Sequence, residues 1–214
     1  MRTHRPPPRR SARSVPPWFL VLAFWVAATS ASADPGTPPV APTRSVHGID
    51  LPAYMHVAAW DTHLRLAGAR VIDHHYLPFQ VVALYVGADS PDGERLAAGL
   101  ARCRLRIHWL GSGLDAAGAT AWWQAAFARA VPEATARLRL EAVLSRITAR
   151  IGAPARGAVT VVDYDPDAGL SIATDDQPAM RLAGLEVARA VLGVWLGDQA
   201  SRRELMGESA PASQ

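Results

Sequence analysis

Residues 158–207 read AVTVVDYDPDAGLSIATDDQPAMRLAGLEVARAVLGVWLGDQASRRELMG. Residues 159–163 form a short strand. The Asp- and Gly-bearing DPDAG at 165–169 is a turn, and residues 170–173 form the returning strand. Asp175 and Asp176 open a second turn before a short third strand at 179–182. Leu185, Ala188, Val191, Leu192 and Trp195 then repeat at helical spacing and stop at Gly197. Three short antiparallel strands followed by an amphipathic helix predict an α+β chain: a large antiparallel sheet with a helical layer on one face.

Upstream text agrees. Residues 63–72 predict one strand and residues 77–86 a second, whose nearly continuous apolar character implies cover on both faces. Ser90 as cap and Pro91 at the first position predict a helix to about residue 101. In residues 103–109, Cys103, Leu105, Ile107 and Trp109 alternate with Arg104, Arg106 and His108, giving a strand with one core face and one polar face. Two helices follow, over 115–130 and 133–151. Their stripes run through Ala119, Trp123, Ala126, Phe127 and Ala130, then Leu140, Leu144, Ile147 and Ile151. Pro132 stands at the start of the second, and Gly152 with Pro154 ends it.

The N-terminus reads as an export leader. Residues 1–33 hold five arginines and no acid, an 11-residue apolar run at 18–28, and small residues before Asp34. Eleven apolar residues fall short of the about 20 that span a bilayer. Cleavage there predicts an exported, periplasmic or secreted protein with no membrane span. Residues 34–45 are a Pro-rich tether, 46–207 the folded domain, and 208–214 a tail. Of 22 basic and 19 acidic residues, the leader takes five basic ones. Residues 34–214 therefore hold 17 against 19, a net charge of −2, which gives no electrostatic case for nucleic acid. The oligomeric state is not legible.

Several chemistries are excluded by the residues themselves. The chain has no lysine, so neither a Schiff base nor a lysine P-loop is available. Cys103 is the sole cysteine and sits on an apolar strand face, where a buried thiol is expected. Gly111, Gly113 and Gly118 miss the dinucleotide spacing, and no G-x-S-x-G elbow exists. Asp163, Asp165 and Asp167 share the spacing of a calcium loop, but Ala168 replaces its glycine and Thr174 its bidentate acid. His74, His75 and His108 could in principle meet at a metal or haem. Neighbours on a strand point oppositely, so only one of the first two could serve. No metal or cofactor is expected.

In their order, these segments resemble the chalcone isomerase-like family, especially its exported bacterial members. LRLAGAR at 64–70, FQVVALYVG at 79–87, LRIHWL at 105–110, VVDYDPDAGLSI at 161–172 and AGLEVARAVLGVWLGD at 183–198 carry the resemblance, over about residues 46–207. It implies an open-faced β-sandwich with a ligand cleft between sheet and helices. Family enzymes use an arginine of the first segment, which falls on Arg70. A threonine of their second strand falls on Gln80. Their catalytic tyrosine follows the strand at 105–110, but residues 111–121 contain no tyrosine.

The expectation is therefore non-catalytic binding of a small apolar or fatty-acid-like ligand. Arg70 would anchor an anionic head, because guanidinium holds carboxylate bidentately. Gln80, Tyr85, Trp109 and Trp123 complete the expected site, with the aromatic rings lining an apolar space. The alternative is an isomerase acting as an intramolecular lyase on a chalcone-like ketone. A third possibility is a scaffold whose cleft is filled by its own side chains.

Overall fold

The structure is a computed structural model and describes residues 42–89, 91–111, 114–175 and 177–208. The leader, most of the tether, Ser90 and the C-terminal tail after 208 lie outside the described residues. Among the described residues, nine strands and five α-helices are arranged as β1 (Thr43–Val46), β2 (Ile49–Pro52), β3 (Tyr54–Val57), β4 (Thr62–His74), β5 (Leu77–Val86), α1 (Gly93–Ala97), β6 (Cys103–Trp109), α2 (Ala116–Ala130), α3 (Ala134–Ile151), β7 (Val159–Asp165), β8 (Gly169–Thr174), β9 (Met180–Leu182), α4 (Leu185–Leu196) and α5 (Gln199–Leu205). Strands β3 to β9 form one antiparallel sheet in chain order, and β1–β2 is a separate hairpin. Each strand pairs with its sequence neighbour, so helices inserted between strands collect on one face.

The two faces have different cores. Toward the helices, Val82, Leu84, Leu105, Ile107, Val162 and Ile172 pack with Trp123, Leu140, Ile147, Val191 and Trp195. On the other face, Leu64, Val81, Ala83 and Tyr85 pack with Leu51 of β2 and Val57. Strand β5 is thus buried from Phe79 to Val86, as its apolar run requires.

A bulge in β4 sorts its side chains between these cores. Leu66 pairs with Tyr85 and Gly68 with Leu84, leaving Ala67 over. The extra residue reverses the alternation. Leu64 and Leu66 face the hairpin, while Gly68, Arg70 and Ile72 turn toward the helices. Gly68 is then a steric requirement: a Cβ there would lie 2.6 Å from the Glu204 carbonyl oxygen and 2.7 Å from the Gly207 nitrogen. The end of α5 rests directly on the β4 backbone.

Other details follow local chemistry. Asp92, not Ser90, caps α1 by accepting from the Arg95 amide at 2.7 Å, so the helix is shorter than its N-terminal text suggested. Asp115 caps α2 through the Gly118 amide at 2.7 Å. Tyr164 donates to the Gly99 carbonyl over 2.8 Å, tying β7 to the turn after α1. Gly169 turns with φ of 85°, and a Cβ there would meet the Leu182 carbonyl oxygen at 2.6 Å. Together these explain the Tyr-x-Pro-x-x-Gly spacing. The first strand starts at Thr43, inside the segment read as tether, and β1 to β3 and α5 were not legible.

Candidate functional site

Helix α4 brings the closing Trp-Leu-Gly-Asp onto the sheet. Trp195 Nε1 donates to Gln80 Oε1 over 3.2 Å, and both residues are buried. Gln80 Nε2 is buried without a hydrogen-bond partner among the described residues. An amide with one end satisfied and one donor free is costly in a core unless something else accepts. Asp198 caps α5, accepting from the Ser201 amide at 2.8 Å and from the Ser201 hydroxyl. Burial pushes the Asp198 carboxyl up. The Ser201 bonds and the Arg70 charge outweigh it and leave it below the usual carboxylate range.

The structure separates the five residues singled out from sequence. Arg70 faces the helical side but is engaged by α5: it donates to the Ser201 hydroxyl, and its Nε lies 3.3 Å from Glu204 Oε2. Tyr85 lies on the opposite face of the sheet, in the hairpin core. Strand alternation from Gln80, which faces α4, dictates that side. Trp109 donates to Thr160 Oγ1 at 2.9 Å and sits 6.4 Å, centroid to centroid, from Trp123. Trp123 stacks on Phe127 at 5.5 Å and meets Trp195 edge-on at 5.9 Å. These rings fill the space beneath the helices. Only about 10 Å³ remains beside Phe79, Trp109 and Trp123. Of the five, Gln80, Trp109 and Trp123 share one aromatic neighbourhood; Arg70 and Tyr85 do not join it.

A larger opening lies just outside that plug. Strand β4 and the helices α2 and α4 enclose a groove of about 590 Å³, walled by Ile72, Leu114, Trp122, Val194 and Trp195. Asp73, His74, His75 and Arg129 supply its polar rim. Burial and the neighbouring His75 hold His74 below the usual imidazole range, so it is neutral near pH 7. Arg129 makes no hydrogen bond or ion pair among the described residues and stands exposed in the last turn of α2. The volume suits a small molecule, since such sites run to about 300–1,000 Å³. Sequence reading missed Arg129. Gly118, Trp122, Ala125 and Arg129 repeat at helical spacing beside the buried stripe, and that second stripe was the available signal. A second groove of about 640 Å³ runs between α2 and α3 over Phe127 and Leu144.

Reactive groups are few. The Cys103 thiol is buried, and burial, with Asp163 nearby, pushes it up to about 12. No group of three His, Cys, Asp or Glu among the described residues could hold a metal ion. Asp163 and Asp165 are instead ion-paired to Arg104 and Arg102. No described helix is long and apolar enough to cross a membrane.

This is the architecture of an open-faced sheet carrying a helical layer, with a side groove between them. A family model described as chalcone isomerase-like matches residues 43–207, and the chain belongs to that family. Among solved structures, the chain is similar to the crystal structure of a fatty-acid binding protein of Arabidopsis thaliana. The TM-score is 0.58 at 13% identity, over 77% of this chain and 96% of that one. At that identity the likeness speaks for the fold. No curated protein matches in sequence.

Proposed function

We propose that this protein binds a small apolar molecule of the fatty-acid kind without transforming it. The groove between β4, α2 and α4 carries the reading: an apolar wall ending at a rim with an uncompensated cation, Arg129. The tail would lie along Trp122, Ile72 and Trp195, and the carboxylate would meet Arg129. The Arabidopsis thaliana protein of the same fold is a fatty-acid binding protein, which supports this class of ligand.

Binding rather than catalysis is favoured by what the groove contains. No tyrosine occurs in residues 111–121, where family isomerases place theirs, and Cys103 is buried away from the groove. The basic, apolar and small-residue order of residues 1–33 supports export to the periplasm or beyond.

Lipids extracted from protein purified from its native host should include an acyl species at near-stoichiometric amount. Added fatty acid should quench tryptophan emission saturably. Neither signal appearing would remove the proposal, and cyclisation of a chalcone above background in an absorbance assay would replace it with the isomerase reading. A scaffold role is the second reading, favoured by the Trp109–Trp123 plug under the helices. It predicts no ligand in either assay.

A further inference from the structure

Three arginines at alternate positions, 102, 104 and 106, enter and follow β6, so they share the sheet face turned away from the helices. Two are matched by acids across the sheet. Arg102 meets Asp165 at 2.7 Å. Arg104 grips Asp163 with two bonds of 2.6 and 2.7 Å. The next rung breaks the series: Arg106 stands between Val161 of β7 and Ala83 of β5. It makes no ion pair among the described residues, and the Asp163 carboxylate one step away is already held by Arg104.

Two buried polar groups beside this rung are also incompletely matched. The Tyr85 hydroxyl is buried, on a residue with 0% exposure, and His108 Nε2 is buried likewise; the Tyr85 oxygen lies against the Arg106 guanidinium, but its O–H has no acceptor, and His108 Nε2 has no hydrogen-bond partner, among the described residues. Both lie within reach of the Arg106 charge. Burial raises the Tyr85 phenol and Arg106 pulls it back; burial and Arg106 together lower the His108 imidazole. A cation without an acid and two buried polar groups short of an acceptor are therefore neighbours on one face of the sheet, where the arginine–aspartate series lacks its third acid. A buried donor without an acceptor is destabilising, so an acceptor arriving there is favoured.

We propose that Arg106, Tyr85 and His108 form a binding site for one carboxylate or phosphate group. It lies on the opposite face of the sheet from the groove and is independent of it. Arg106 supplies the charge and up to two parallel N–H donors. The Tyr85 hydroxyl and the Nε2–H tautomer of neutral His108 supply the remaining donors. Arg106 is half-buried, and rotation of its side chain admits the anion to the two atoms beneath.

The test titrates the full chain with phosphate and with acetate, each against chloride at matched ionic strength. The melting temperature and the His108 ring resonances are followed. A saturable shift of His108 and a rise in melting temperature are expected with at least one anion, and which anion acts identifies the group. Arg106→Gln should weaken the apparent affinity at least tenfold. Val161→Asp, which puts an acid on the third rung, should abolish the response while melting no lower than the parent. No saturable response to either anion would mean that water alone meets these groups and would overturn the proposal. A response unchanged in Val161→Asp would do the same, and that variant decides the matter if Arg106→Gln does not fold.

Discussion

Trp195 Nε1 and Gln80 Oε1 are hydrogen-bonded across 3.2 Å between α4 and β5, out of contact with solvent. The bond aligns the closing helix on the sheet and leaves Gln80 Nε2 facing no acceptor. Gln80→Met and Trp195→Phe should each destabilise the fold by about 1–3 kcal/mol, because each strands the other partner's polar atom. The double variant should cost less than the sum, since the second change removes the stranded group. Denaturant unfolding of the four proteins measures the coupling.

Arg70 and Arg129 should separate structure from binding. Arg70 is spent on Ser201 and Glu204, so Arg70→Met should loosen α5 and cost about 1–2 kcal/mol while leaving fatty-acid affinity unchanged. Arg129 has no such partner, so Arg129→Ala should change stability by less than about 0.5 kcal/mol. It should weaken a fatty acid about tenfold, equivalent to about 1.4 kcal/mol, and leave the matching alcohol unaffected. Equal losses for acid and alcohol would place the carboxylate elsewhere.

Gly68→Ala should be among the most damaging single-methyl additions. The new Cβ would lie under 3.0 Å from three backbone atoms of residues 204–207, which cannot move as a side-chain tip can. Displacing α5 would also cost the Arg70 contacts. A loss of about 2–3 kcal/mol in denaturant unfolding is expected. A loss below about 0.5 kcal/mol would mean that α5 is not docked on β4.

Cys103 gives a pH signature at the alkaline end. Its thiol is raised from the ordinary 9.0 to about 12 in the folded state. Between those values the unfolded chain has released the proton and the folded chain has not, so stability falls as pH rises through that window. His74 and His108 act at the other end. Their imidazoles are held low when folded, so the unfolded state takes up protons first and stability falls as pH drops below about 6.5. Thermal melts against pH, repeated with Cys103→Ala, should show the alkaline limb flatten. The native thiol should also resist a disulfide reagent at pH 8 and react on unfolding.

Much of the fold was legible because the signals were local. The alternation of Cys103, Leu105, Ile107 and Trp109 marked β6 to the residue, and the stripe ending in Trp195 marked α4. Strand β5 declared itself buried on both faces. Less local features were silent. The β1–β2 hairpin and α5 are short elements whose burial depends on docking partners, as Leu51 on the second core and Ser201 under Arg70 show. Arg70 and Tyr85 lie apart from Gln80, Trp109 and Trp123 for the same reason: side-chain identity placed them near a cleft, but facing and engagement are set by neighbours.

The residue string alone determined the order of the longer elements, the two-faced character of β6 and the absence of lysine, because periodicity and composition need no partner. The tertiary structure alone decided which way β4 points. A plain two-residue alternation would keep Leu64, Leu66, Gly68 and Arg70 on one side. The single extra residue at Ala67 divides them, sending the leucines to the hairpin core and Gly68 and Arg70 to α5. Whether a strand absorbs a bulge depends on the register with β5 and on what packs above it. That energy is shared among residues far apart in the chain.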